Sequence, residues 1–127
     1  MIKMTSDKDT QVQDKDIWPV EIRCNSARDR LTVRFEDAGD VELSAELLRV
    51  ESPSAEVQGH GPSQKQTPLG KQDVTITKII PVGSYAVRLV FSDGHDTGIY
   101  SWALLYDYGK RQHQLMADYH SRVAGLS

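Results

Sequence analysis

The chain predicts a single α+β domain: an antiparallel sheet of five or six strands, free to curl toward a barrel, with a short helix after the third strand and a longer helix at the C-terminus. Three observations carry this. Segments of alternating apolar and polar residues recur between turn-forming clusters. The clearest pair, residues 74–80 and 85–91, brackets the turn Pro81-Val-Gly-Ser84. From Ser101 onward the apolar spacing changes to that of a helix. The 127 residues, 39% hydrophobic and 26% charged, suffice for one ordinary core without disulfides or a metal staple.

Residues 1–16 lack apolar periodicity and predict a flexible arm, leaving 17–127 as the domain. Val20-Glu-Ile-Arg-Cys24 and Leu31-Thr-Val-Arg-Phe35 alternate around a polar turn and predict paired antiparallel strands. Gly39 can supply a positive φ for the next turn, and Val41-Glu-Leu43 continues the meander. Ser44 can cap a short helix from Ala45 to about Val50, with Glu46 in its first turn. Residues 51–72, rich in Pro, Gly and Ser, predict a long loop without regular structure. In the hairpin that follows, Tyr85, Val87, Leu89 and Phe91 share one face. Ala86 and Val90 are apolar as well, so this strand is expected to be central and covered on both faces. On the final helix Trp102, Leu105, Tyr106, Met116, Tyr119 and Val123 form one stripe, with Gly109 as a break.

Several function classes are excluded or disfavoured. No apolar run approaches the length of a membrane helix, and the polar, acidic N-terminus lacks the pattern of a secretory signal. A cytoplasmic protein is expected. One cysteine, Cys24, agrees with a reducing compartment, and its strand position predicts a buried, inert thiol. A net charge of -3 gives no attraction to nucleic acid. GHGP and DGHDTG lack the spacing and lysine of a phosphate loop. Ser52 or Ser54 with His60 or His95 and Asp93 supplies the residue types of a hydrolytic triad, but no G-x-S-x-G elbow accompanies them, so an enzyme is the least favoured class.

The hub of the chain is Phe91-Ser-Asp-Gly-His-Asp-Thr-Gly-Ile-Tyr-Ser-Trp102, where a strand ends and a helix begins. Trp18-Pro-Val-Glu-Ile-Arg, Ala45-Glu-Leu-Leu-Arg49, SPSAEVQGHGP and this hub, followed by Leu104-Leu-Tyr, together resemble the DUF971 family. These are small bacterial proteins similar to the N-terminal domain of gamma-butyrobetaine hydroxylase. The resemblance implies an accessory module. In the hydroxylases it precedes a separate iron- and 2-oxoglutarate-dependent domain, and a similar module is appended to iron-sulfur carrier ATPases, so hydroxylase activity does not transfer to this chain.

In the hydroxylases a C-x-C-x-x-C run and a histidine hold zinc. The histidine matches His95, but the cysteine positions fall on Ser52, Ser54 and Val57. A protonated hydroxyl is a poor zinc ligand and valine offers none. The implied zinc site is therefore degenerate, no cofactor is expected, and hydrogen bonding from Ser52 or Ser54 to His95 is expected in its place. The expected function is a non-catalytic binding or adaptor module for a protein partner in iron-sulfur or iron-dependent oxygenase systems. Its candidate surface is Asp93, His95, Asp96, Tyr100, Trp102, Ser52, Ser54 and His60. The alternative is a metal- or small-ligand-binding protein using His95 with His60, and Asp93 as a further ligand. His113 and His120 are expected to face solvent.

Overall fold

The computed structural model describes residues 17–126; the arm expected over residues 1–16 lies outside the described residues. The first meander forms β1 (Pro19–Cys24), β2 (Arg30–Phe35) and β3 (Gly39–Ser44). Asn25 organises the first turn, its side-chain oxygen accepting from the amides of Asp29 and Arg30 at 3.1 Å each. Gly39 takes the positive φ expected of it, 84°. Helix α1 (Ala45–Val50) begins at Ser44, whose Oγ accepts from the Leu47 amide at 3.0 Å. The second half adds β4 (Ile76–Val82), β5 (Ala86–Phe91) and β6 (Ile99–Ser101), then α3 (Trp102–Lys110) and α4 (Gln112–Gly125). Leu31, Leu43, Leu47, Ile76, Leu89, Tyr100 and Leu105 are fully buried in the common core.

The strands of the described residues do not make one sheet of five or six, and no barrel closes among them. Among the described residues there are two three-stranded antiparallel sheets, ordered β1-β2-β3 and β4-β5-β6. They meet through a turn rather than through neighbouring strands, so no ladder runs between them. Arg28, in the β1–β2 turn, accepts at its carbonyl from the Ile76 amide at 2.9 Å. Its guanidinium reaches the carbonyls of Ile76 at 2.8 Å and Thr77 at 3.1 Å. The residue sits at φ 62°, in the left-handed region that a side chain rarely adopts.

Four further expectations are corrected. Residues 51–72 contain regular structure, α2 (Ala55–Gln58) and a 3-10 turn (Pro62–Gln64), because Ser54 caps α2 by accepting from Glu56 N at 3.1 Å. The C-terminal helix is two helices, divided at Arg111 (φ −104°, ψ 11°) rather than at Gly109. Gly109 serves packing: α3 crosses β3 so closely that a Cβ there would lie 2.5 Å from Val41 Cβ. Pro81 and Val82 belong to β4, an edge strand that tolerates a proline. Tyr85 precedes β5 and is 59% exposed, whereas Val87, Leu89 and Phe91 face the core.

Candidate functional site

Three segments converge behind the hub: the end of α1, the start of α2, and the β5–β6 connection. Gly94, at φ 92°, turns that connection back so that Phe91 N donates to the His95 carbonyl at 3.0 Å. Asp93 Oδ1 accepts from the His95 amide at 3.1 Å and fixes the histidine's backbone. The imidazole points inward, where Nε2 lies 2.8 Å from Ser52 Oγ and Nδ1 lies 3.1 Å from Glu56 Oε1. A carboxylate only accepts, so Nδ1 carries the proton and Nε2 accepts from the Ser52 hydroxyl. Ser52 Oγ in turn accepts from Ser54 N at 3.2 Å, and Ser54 Oγ lies 2.6 Å from Thr97 Oγ1. The hydrogen bond expected between Ser52 and His95 is thus present, and it fastens the long loop to the hub.

Around this clasp the polar groups are matched to charge. Arg49 Nε donates to Asp93 Oδ2 at 2.8 Å and Lys71 Nζ lies 2.7 Å from the same oxygen. Burial pushes the Asp93 carboxyl up, but Lys71, the His95 amide and Arg49 outweigh it and hold the group at about 2. Burial, seconded by the Arg49 charge, lowers the pKa of His95 against the opposing pull of Glu56 and Asp93. The imidazole is therefore kept neutral. Beneath it Tyr100 OH donates to the Leu48 carbonyl at 2.5 Å, and burial raises its pKa.

Ser52, His95 and Glu56 stand in the hydrogen-bond order of a serine–histidine–acid triad. The exposure gradient runs the wrong way for catalysis. Ser52 is 0% exposed, while the Glu56 side chain is 62% exposed. Gly98 backs onto the serine so closely that a Cβ there would lie 2.6 Å from Oγ, leaving no room for an acyl group. The arrangement holds the fold together and does not present a nucleophile.

The zinc site implied by resemblance does not fit these residues. Both imidazole nitrogens of His95 are engaged, the hydroxyls of Ser52 and Ser54 are hydrogen-bonded, and Val57 is buried without a donor atom. The alternative set of His60, His95 and Asp93 is not assembled either. His60 is exposed on the loop, where its amide donates to Gln64 Oε1 at 3.1 Å. Among the described residues no group of three or more His, Cys, Asp or Glu gathers as a metal site.

Of the expected binding surface, Ser52, Ser54, His95 and Tyr100 lie in the interior, because the chain satisfies their polar atoms internally. Asp93 is occupied by its two cations. Asp96 and His60 face solvent, and Trp102 is half-buried with its indole Nε1 donating to the Ser84 carbonyl at 2.8 Å. His113 and His120 are exposed. Cys24 is half-buried, and burial raises its pKa, with Arg28 opposing. The sequence reading did not foresee Glu56 as the partner of His95, Arg49 and Lys71 on Asp93, or the buried carboxylate of Glu51. Glu51, exposed over only 5% of its side chain, binds Lys65 at 2.7 Å and Arg122 at 2.8 Å. The one local signal for Glu56 is its place two residues after the capping Ser54.

Comparison with known proteins accords with this architecture. Residues 22–106 match the family described as gamma-butyrobetaine hydroxylase-like, N-terminal. A protein solved in solution by NMR is 44% identical, with 84% of each chain covered and a TM-score of 0.71. A second NMR structure is 41% identical over 91% of this chain and 86% of that one, with a TM-score of 0.76. The crystal structure of a protein of unknown function from Acidithiobacillus ferrooxidans, a member of the DUF971 family, is 39% identical over 73% and 93% of the two chains, with a TM-score of 0.59. No curated protein matches. The clasped loop, the two small sheets and the hub they support are those of a chain that belongs to the gamma-butyrobetaine hydroxylase-like N-terminal family, DUF971.

Proposed function

We propose that this chain is a non-catalytic adaptor module that binds another protein in the cytoplasm. The observation that carries the reading is the closed state of the hub. Its reactive side chains, Ser52, His95, Glu56 and Asp93, are spent on one another and on Arg49 and Lys71. What the molecule offers outward is amphipathic instead. Trp18 is 50% exposed and Tyr85 59%, and both line a shallow surface depression of about 300 Å³ with Trp102. Aromatic side chains give large contact area at low entropy cost.

The family description names an N-terminal domain of a hydroxylase, which supports iron-dependent oxygenase or iron-sulfur systems as the first place to seek the partner. Affinity capture with the tagged chain from its source lysate, quantified against an unrelated protein of like charge, should enrich one partner from those systems. Enrichment of nothing beyond the control would overturn the adaptor reading.

A further inference from the structure

An antiparallel sheet with one face on the core ordinarily presents a polar outer face. Sheet β4-β5-β6 does not. Leu89 faces the core and pairs with Ile79, so the register assigns Ile80, Arg88 and Ile99 to the opposite face as one cross-strand row. Lys78 and Val90 form a second row, and Val82, Ala86 and Ser101 a third. This face is open in part: Ile99 is 45% exposed and Ile80, Val82 and Val90 are half-buried, whereas Ala86 in the third row is fully buried. The apolar positions that predicted cover on both sides of β5 are there, but the cover on the outer side is incomplete. Arg88 interrupts the row between Ile80 and Ile99, so the face mixes aliphatic residues with cations, and arginine among apolar residues is common at protein interfaces.

The charge on the face selects its occupant. Its ionised groups are Lys78 and Arg88. Arg88 is tied to Asp96, its Nη1 donating to the Asp96 carbonyl at 3.0 Å and lying 3.8 Å from Oδ2. Lys78 is exposed and makes no ion pair among the described residues. A second copy docked face to face would set these cations against their own equivalents. A partner bearing carboxylates beside apolar residues would pair with Lys78 and cover the isoleucines. Resting on the adaptor reading, we infer that the outer face of β4-β5-β6, which meets the Trp18–Tyr85 depression at Ser101, extends the docking surface, and that it takes an apolar protein segment flanked by aspartate or glutamate.

A random linear peptide library displayed on phage tests this without a known partner. Wild-type protein should enrich peptides combining apolar residues with Asp or Glu. A synthetic copy of the leading peptide should bind Ile80→Ser/Ile99→Ser about tenfold or more weakly, a loss on the scale of one buried side chain. Lys78→Glu, which leaves the apolar face intact, should weaken binding severalfold, and added salt should do the same to wild type. Circular dichroism of both variants checks that they fold. Three results would overturn the inference: no peptide preferring wild type over the serine variant, enrichment of basic peptides, or sedimentation of wild type as a dimer that the serine variant breaks. Lysate capture retained by the serine variant would remove this surface and leave the adaptor reading standing.

Discussion

Ser52 Oγ is held between the Ser54 amide and the His95 imidazole with no solvent to replace either partner. Ser52→Ala leaves a buried amide and a buried ring nitrogen unsatisfied, and should cost about 1–3 kcal/mol in urea unfolding. Ser54→Ala removes both a helix cap and the Thr97 contact and should cost about 1 kcal/mol. The pH dependence follows from His95. Its folded pKa lies below the ordinary 6.5, so the unfolded chain takes up the proton first as pH falls. Stability should therefore be full above about pH 6.5 and decline below it toward the folded value. A His95→Gln variant, titrated by urea unfolding across that window, should lose this part of the slope. Asp93 adds a second decline at lower pH, since the stability its ion pairs confer disappears as its carboxyl is protonated on approaching 2. The His95–Ser52 bond was legible in the sequence because a resemblance aligned the substituted positions. Glu56 was not, because its role depends on α2, which residues 51–72 did not advertise through their many helix breakers.

At the scale of elements, α3 and β3 touch at Gly109. In an ordinary helix Gly→Ala stabilises by up to about 1 kcal/mol. Here the added methyl meets Val41, and Gly109→Ala should instead destabilise by about 1–3 kcal/mol, with Gly109→Ala/Val41→Ala recovering part of the loss in a thermal melt. Period and turn chemistry made most elements legible: Ser44 before α1, Gly39 between β2 and β3, and the alternation in β2 and β5 are local signals. The reading erred at Gly109 because a contact glycine and a helix-breaking glycine look alike until the facing strand is known. It missed the break at Arg111 because that residue has no breaker signature of its own. The division into two sheets was equally hidden, for hydrophobic alternation specifies which face is buried and not which edge joins which.

Across the whole molecule, long connections are fastened by charge. Glu51 closes α1, reaches Lys65 in the loop and Arg122 on α4, and its carbonyl accepts from Tyr108 OH at 2.7 Å. Burial, then the Glu51 charge, push the Tyr108 phenol up to about 12. Glu51→Ala strands two cations, both partly solvated, and should cost about 3 kcal/mol. Hydrogen exchange should show amides in the 62–72 segment and in α4 losing protection together, because one carboxylate serves both. Arg28 plays the corresponding part for the sheets, and Arg28→Ala should loosen β4 preferentially over β2 in the same experiment.

The order of the sheets along the chain also bears on synthesis. Each sheet is made of consecutive strands, so β1, β2, β3 and α1 can leave the ribosome and pair before β4 has emerged. That first half carries Leu31, Val33, Leu43 and Leu47, whose burial depends on residues that have not yet emerged. The nascent protein passes through a stage with half a core exposed, and the time until β4 and the later elements emerge sets how long a chaperone has to cover it.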